Sequence, residues 1–160
     1  MTQEPMTVES VDLQRYAGRW FEIARLPMRY EDPTASEVTA DYTLNDDGTV
    51  QVVNRCINED GQWETSQGQA EAVDDTHAKL KVTFMPSGLR WIPFTDGDYW
   101  IIGLDADYQT ALVGSPNRKY LWLLHRNPRM TEEAKRLWLA KAQAQGYDLS
   151  ELIDTPQTQA

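Results

Sequence analysis

The strongest constraint on the fold is a series of short alternating segments that follow one another at hairpin spacing. Turn signals such as Asp46-Asp47-Gly48 and Ser115-Pro116-Asn117 separate the segments, and no helical pattern lies between any two of them. Parallel strands need a long crossover, so this pattern excludes a parallel sheet. We therefore predict an all-β fold, an eight-stranded antiparallel up-and-down β-barrel. The predicted strands are Gly18–Arg25, Val38–Leu44, Val50–Ile57, Ser66–Val73, Ala78–Met85, Tyr99–Leu104, Thr110–Val113 and Lys119–Arg126.

One α-helix is predicted after the barrel, over residues 131–146. Thr131 is its expected N-cap, Glu132 and Glu133 suit the positive end of the helix dipole, and Gly146 ends it. We expect the helix to pack outside the barrel through a stripe of side chains at helical spacing. The stripe consists of Ala134, Leu137, Trp138 and Lys141.

Length and composition indicate one domain and exclude several classes of function. A chain of 160 residues forms one core without staples, so we expect a single domain over residues 1–160, with a flexible arm at 1–10, the barrel at 17–127 and a loose tail at 153–160. The formal net charge of −10, with no basic run, argues against nucleic acid as a partner. No stretch is apolar for the ~20 residues that a membrane span needs.

No catalytic or metal-binding constellation appears. Cys56 is the single cysteine, which excludes an intrachain disulfide and a multi-cysteine metal site. His77 and His125 are expected to be ordinary surface residues. Because no paired carboxylates, phosphate loop or metal spacing are present, we expect no metal, no cofactor and no enzymatic activity.

Three groups of residues carry a family resemblance. They are Gly18-x-Trp20 at the first strand, Asp105-x-Asp107-Tyr108 between strands six and seven, and Arg126 at the end of strand eight. With these motifs in order, residues 11 to 150 resemble the lipocalins, and the longer runs are most similar to the bacterial lipocalins related to apolipoprotein D. The resemblance implies a barrel that binds fatty acids, lysophospholipids and related lipids, and a place in the cell envelope. That subgroup's usual leader with a lipid-accepting cysteine is absent from this sequence.

The residues that face the barrel interior follow from taking Trp20 as inward, with the resemblance setting the phase of the other strands. On this phase Trp20, Glu22 and Ala24 share the inner face of the first strand. Small residues such as Gly68, Ala70 and Gly114 alternate with large ones, which favours a cavity over a filled core. The predicted ligand-binding residues are Ala40, Tyr42, Val52, Asn54, Ala70, Val82, Phe84, Tyr99, Ile101, Leu112, Tyr120 and Trp122; Val50, Gly68, Leu80, Gly103, Gly114 and Leu124 complete the inward set.

Two charged residues are given structural roles. Arg126 is expected to stack on Trp20 at the closed end of the barrel, an interaction of about 1 to 2 kcal/mol when it is desolvated. Glu22, facing inward near Arg126, is expected to be a paired charge rather than a catalytic acid.

Two long loops are expected to form the barrel mouth. The first follows Arg25, and the second spans Pro86 to Gly97 with more large apolar side chains than a solvent loop needs. The alternative is that these side chains pack only on each other or on a second subunit. The rim also offers apolar surface for transient membrane contact or for a homodimer. The mouth residues are Met28, Tyr30, Leu89, Trp91, Ile92 and Phe94.

The leading hypothesis is a non-enzymatic carrier or store of a small hydrophobic ligand, a fatty acid or lysophospholipid. The first alternative is a pigment or retinoid carrier, because Tyr42, Tyr99, Tyr120 and Trp122 could stack on a conjugated ligand. The second, from another class, is a thiol-dependent enzyme that uses Cys56. A leaderless chain with an unpaired cysteine favours the cytoplasm, and the alternative is the periplasm or outer membrane if a leader has been removed.

Overall fold

The computed structural model describes residues 4–27, 34–84 and 96–158, without the side chains of Phe84 and Asp96. The predictions for Met28, Tyr30, Leu89, Trp91, Ile92 and Phe94, and for the side chain of Phe84, lie outside the described residues. The elements are α1 (Leu13–Tyr16), β1 (Gly18–Arg25), β2 (Ser36–Leu44), β3 (Val50–Ile57), β4 (Trp63–Ala72), β5 (Lys79–Phe84), β6 (Asp96–Leu104), β7 (Thr110–Gly114), β8 (Leu121–His125), α2 (Glu132–Ala144) and β9 (Ile153–Asp154).

The predicted barrel is confirmed. Strands β1 to β8 pair antiparallel with their sequence neighbours, and β1 closes the barrel by pairing with both β2 and β8. The short strand β9 lies outside the barrel and adds to β1 at Ala24 and Arg25, beyond the last residue of β1 that pairs with β2. The end at which β1 begins, next to α1, is the closed end. The other end, where β1 ends and β2 begins, is called the mouth end.

Register shifts occur in β1, β2 and β6, and those in β1 and β6 change which of the predicted side chains face the interior. In β1 the register against β8 shifts between Glu22 and Ala24, and in β6 the register against β7 shifts between Ile101 and Gly103. An extra residue in one strand moves every following side chain to the opposite face. The predicted common face of Trp20, Glu22 and Ala24 is therefore wrong at Ala24, which packs outside the barrel.

Buried apolar side chains form two separate clusters. The inner cluster fills the closed half of the barrel around Trp20, Tyr42 and Ile101. The outer cluster lies between β1, β6, β7 and β8 on one side and the helix α2 with the segment after it on the other. Gly114 contributes to this contact, because a Cβ built there would lie 2.3 Å from Tyr147 Oη.

The helix is confirmed, but the predicted packing stripe is wrong. The Thr131 side chain caps α2 by accepting a hydrogen bond from Ala134 N (3.1 Å). Leu137, expected to face the barrel, is 61% exposed, whereas Trp138 and Leu139 pack on the outer cluster and Ala142 is buried in it. Leu137 and Leu139 are the sequence neighbours of Trp138. Helical periodicity alone is therefore compatible with a packing stripe that contains Trp138 and either leucine.

Both ends of the described chain make hydrogen bonds to the rest of the molecule. Val8 N donates to Ile101 O (3.0 Å), and Met6 exchanges two hydrogen bonds with the side chain of Gln145. At the other end, Thr155 N donates to Ile23 O (3.0 Å), and the Gln157 amide donates to carbonyl oxygens of both β1 and β2. The segment 153–158 thus bridges β1 and β2 where these strands separate.

Candidate ligand-binding site

The closed end of the barrel is sealed by Trp20 and Arg126. The guanidinium carbon lies 3.8 Å from the centre of the indole ring, as predicted. Arg126 also donates to the carbonyl oxygens of Arg15, Tyr16, Arg19 and Tyr108 at 2.9 to 3.2 Å. Gly18 has φ of +105°, and a Cβ there would lie 3.2 Å from Arg126 Nη1, so a larger residue would meet the guanidinium. These residues form a structural seal at the base of the interior.

The turn between β6 and β7 supports this seal. Asp105 Oδ1 accepts hydrogen bonds from the backbone nitrogens of Gln109 (2.6 Å) and Thr110 (2.8 Å). The ring of Tyr108 lies under Arg15 at 4.1 Å, and its hydroxyl accepts from Asp12 N (2.9 Å). Asp107 contributes its backbone carbonyl, which accepts from Gln109 Nε2 (3.1 Å). The motif residues therefore join the turn to α1.

Above the seal lies a small apolar cavity. The space there is about 20 Å³, close to what one water molecule needs. Its walls come from α1 and from the strands β2 to β6. The cavity is lined by Leu13, Tyr16, Tyr42, Val50, Val52, Ala70, Leu80, Val82 and Tyr99.

Three tyrosines of this lining form a buried chain of hydroxyl groups. Tyr99 Oη donates to Tyr42 Oη (2.8 Å) and is 2.7 Å from Tyr16 Oη. Burial is the largest cause that raises the pKa of each of these phenols above its usual value. The hydroxyls are neutral near neutral pH, so the chain pairs three polar groups within an otherwise apolar wall.

The structure brings most of the predicted cavity residues to the inner face. Tyr99 and Trp122 pack against the inner cluster, and Tyr120 stacks on Trp122 with ring centres 6.3 Å apart. Asn54 shares the inner face of β3 with Val50 and Val52. Those buried within the inner cluster are Ala40, Tyr42, Val52, Ala70, Val82 and Ile101.

Leu112, Gly103 and Gly114 are wrongly predicted to face inward. Leu112 belongs to the outer cluster, and a Cβ at Gly103 would lie 3.1 Å from the Trp138 ring. The bulge in β6 turns Gly103 to the outer face, and Leu112, which pairs with Gly103, shares that face with Gly114 of the same strand. Ala111 and Val113 face the interior instead.

The predicted pairing of Glu22 is confirmed with a different partner. Arg25 Nη1 donates to Glu22 Oε2 (2.8 Å), and Thr155 Oγ1, from the C-terminal segment, donates to the same oxygen (2.6 Å). Burial raises the pKa of the Glu22 carboxyl, while Arg25 and Thr155 act in the opposite direction. The bulge in β1 explains the error, because it brings Arg25 beside Glu22, where Arg126 was expected.

Several residues of the site were missed from sequence. Leu13 and Tyr16 reach the cavity from α1. Ser66 shares the buried face of β4 with Gly68 and Ala70, a position that continuing the alternation from Ala70 would have found. Trp63 begins β4 at the mouth end and is 58% exposed.

Neither histidine lies at the end of the barrel that holds Cys56. Cys56 is buried on the inner face of β3 near the mouth end. Both histidines lie at the closed end: His77 in the turn before β5, and His125 at the end of β8, where Nδ1 is 2.8 Å from Thr110 Oγ1. Within residues 4–27, 34–84 and 96–158, no group of three potential metal ligands gathers.

Comparison with known proteins agrees with this geometry. Residues 11–157 match the family described as the Lipocalin-like domain. The chain belongs to the lipocalin family. This lipocalin is 43% identical over 159 residues to temperature-induced lipocalin-1 of Arabidopsis thaliana, covering 98% of the chain and 84% of the relative. It is 43% identical over 148 residues to the outer membrane lipoprotein Blc of Escherichia coli (strain K12), covering 91% of the chain and 79% of the relative.

More distant proteins also match most of the chain, in sequence or in fold. Apolipoprotein D of Bos taurus is 31% identical over 133 residues, covering 81% of this chain and 68% of the relative. The structure of insecticyanin from the tobacco hornworm Manduca sexta superposes with a TM-score of 0.74 at 21% identity, covering 97% of this lipocalin and 85% of insecticyanin. Lipocalins are in general proteins that bind small hydrophobic ligands rather than enzymes.

In residues 4–27, 34–84 and 96–158, no helix has the length and apolar composition to cross a bilayer.

Proposed function

We propose that this lipocalin carries or stores a fatty acid or a lysophospholipid with its acyl chain inside the barrel. The observation that carries the proposal is the apolar cavity above the Trp20–Arg126 seal. The last carbons of the chain would lie in this cavity, and the rest would extend toward the mouth end. The driving force would be the burial of methylene groups, at about 0.8 kcal/mol each.

A titration with saturated fatty acids and lysophospholipids of increasing chain length tests the proposal. Tryptophan fluorescence is a suitable signal, because Trp20 and Trp122 both lie on the inner face of the barrel. We expect the affinity to rise about fourfold with each added methylene until the interior is full. A flat response at every chain length would remove the lipid-carrier function.

Two further measurements distinguish a lipid carrier from the two alternative functions, a thiol-dependent enzyme and a pigment carrier. We expect Cys56→Ser to leave lipid affinity unchanged, because the proposal gives the thiol no role. A turnover activity that disappears with the thiol would favour the enzyme. A coloured protein on purification would favour the pigment carrier.

We also propose the periplasm or outer membrane as the location. The relatives from Escherichia coli, Citrobacter freundii and Vibrio cholerae are named outer membrane lipoproteins, and this supports the envelope over the cytoplasm. Fractionation of cells that express the gene from its natural upstream sequence tests this. Recovery of the protein only with the cytoplasmic fraction would contradict the proposal.

A further inference from the structure

The β3–β4 wall of the barrel changes from apolar to polar toward the mouth end. The inward-facing pairs on this wall are Val50 with Ala70, Val52 with Gly68, Asn54 with Ser66, and Cys56 with Glu64, in order from the closed end. Ser66 lies four residues from Ala70, or about 13 Å along the strand at the usual rise. An acyl chain that ends in the cavity near Ala70 would therefore bring its polar end toward this pair.

Ser66 places a buried hydroxyl group without a hydrogen-bond partner on this wall. The residue is 0% exposed, and within the described part of the chain its Oγ has no hydrogen-bond partner. A buried hydroxyl without a partner is costly, and native structures normally supply one. Since Ser66 Oγ lies on the same face as the cavity residue Ala70, the missing partner has to come from inside the barrel.

Asn54 provides a second free polar group beside Ser66. The two residues are paired across β3 and β4, and side chains so placed have Cβ atoms about 4.5–5.5 Å apart. The side-chain amide of Asn54 makes no hydrogen bond to any of the described residues. A hydroxyl and an amide side by side can both donate to and accept from one neutral group that carries oxygen atoms.

The charges near this pair disfavour an anionic group. Glu64 follows on the same face toward the mouth end, held by a hydrogen bond from Asn58 Nδ2 (2.8 Å). Arg25, the buried cation on the described part of the inner face, is already paired with Glu22. A carboxylate at the Asn54–Ser66 pair would therefore meet a like charge from Glu64 without a free cation from the described residues.

We propose that Ser66 and Asn54 bind the neutral oxygen-bearing part of the ligand's head, a hydroxyl or an ester carbonyl next to the acyl chain. This inference rests on the proposed function and narrows it. On this proposal the protein binds a monoacyl glycerolipid more tightly than a free fatty acid of the same chain length. Ser66 and Asn54 set this preference, while the apolar residues below them set the preference for chain length.

The test compares a monoacylglycerol with the fatty acid of the same acyl length, by fluorescence titration of three proteins. These are the wild type, Ser66→Ala, and the control Thr65→Ala, whose side chain is exposed on the same strand. We expect the wild type to bind the monoacylglycerol more tightly. Ser66→Ala should weaken that binding about three- to tenfold, with fatty-acid affinity changed less than about twofold. Thr65→Ala should match the wild type.

A second variant and a stability measurement complete the design. Asn54→Leu should also reduce the preference for the monoacylglycerol. The thermal midpoint of ligand-free Ser66→Ala should equal or exceed that of the wild type, because the substitution removes an unpaired hydroxyl. Equal loss of affinity for both ligands, no loss for either, or a lower midpoint would overturn the assignment of Ser66. Failure of the wild type to bind either amphiphile would overturn the proposed function itself.

Discussion

Arg126 illustrates how one side chain can hold several elements together. Its guanidinium covers the Trp20 ring and donates to carbonyl oxygens of α1, of β1 and of the turn after β6. A planar group with five donors can meet these directions at once, whereas an ammonium cannot. The residue therefore closes the barrel base, and its role does not depend on a ligand.

Replacing Arg126 by Lys should lower the free energy of unfolding by about 1.5–3 kcal/mol, since the charge remains but most of the hydrogen bonds to backbone carbonyls are lost. Urea unfolding followed by circular dichroism measures the change. Arg19→Lys is the control, because Arg19 forms a partly exposed pair with Asp41. Equal losses in the two variants would contradict a special role for Arg126.

The buried tyrosine chain predicts an alkaline loss of stability. Because the pKa values of Tyr16, Tyr42 and Tyr99 are raised in the folded state, the folded protein keeps protons that the unfolded chain releases above about pH 10. The free energy of unfolding is therefore unaffected by these groups below that pH and falls as the pH rises above it. The slope is at most about 1.4 kcal/mol per pH unit for each tyrosine.

Urea unfolding at a series of pH values from neutral to about pH 11 measures this slope. The Tyr42→Phe variant removes one of the three titrating groups, so its slope above about pH 10 should be shallower than that of the wild type. An identical slope in both proteins would show that Tyr42 does not contribute.

At the scale of elements, the C-terminal segment 153–158 completes the wall at the β1–β2 seam. The strand β9 occupies the edge of β1 that β2 leaves unpaired, and Lys135 of α2 forms an ion pair with Asp154 of β9. Thr155 joins the buried Glu22–Arg25 pair, and Glu37 Oε1 accepts hydrogen bonds from Thr158 N and Oγ1 (2.6 Å each). The segment thus links β1, β2 and the helix.

We expect Thr155→Val to reduce the free energy of unfolding by about 1–3 kcal/mol, because it leaves the buried Glu22–Arg25 pair without its hydroxyl partner while keeping the side-chain shape. Chemical denaturation provides the measurement. Thr43→Val, on the exposed face of β2, is the matched control and should cause little change. If both variants are as stable as the wild type, the segment does not stabilise the seam.

At the scale of the whole molecule, ligand binding and stability are linked. A ligand that occupies only the folded barrel stabilises it by about 2.7 kcal/mol at a hundred times its dissociation constant. The predicted membrane contact and the homodimer through the mouth remain predictions, because the residues assigned to that rim lie outside the described part of the chain.

Filling the inner cavity with a larger side chain should reduce the stabilisation that a bound ligand gives to the folded barrel. We expect the thermal midpoint of the wild type to rise with the concentration of a long-chain amphiphile, and that of Ala70→Leu to rise less, because the larger side chain occupies the space of the last carbons. Differential scanning fluorimetry measures both midpoints. Gln69→Leu, which points outward from the same strand, is the control and should behave as the wild type. An unchanged response in Ala70→Leu would place the ligand elsewhere.

The sequence by itself determined the features that depend on local pattern. Alternation and turn residues defined the eight barrel strands, because each hairpin is specified by residues close together in the chain. Gly18, Trp20 and Arg126 could be assigned to the closed end because they stand in motifs of fixed order. Within an unbroken strand such as β3 or β5, alternation together with the phase implied by the resemblance also gave the correct inner face.

Only the tertiary structure decided the features that depend on register between distant segments. The bulges after Glu22 and Ile101 exchange inner and outer faces, and they arise from pairing with β8 and β7 rather than from a local signal. The side of α2 that packs and the pairing of residues 153–154 with β1 are likewise set by surfaces far away in the chain. Alternation along a strand determines that neighbouring side chains point to opposite faces of the sheet. Pairing with strands distant in the sequence determines which of the two faces lies toward the core.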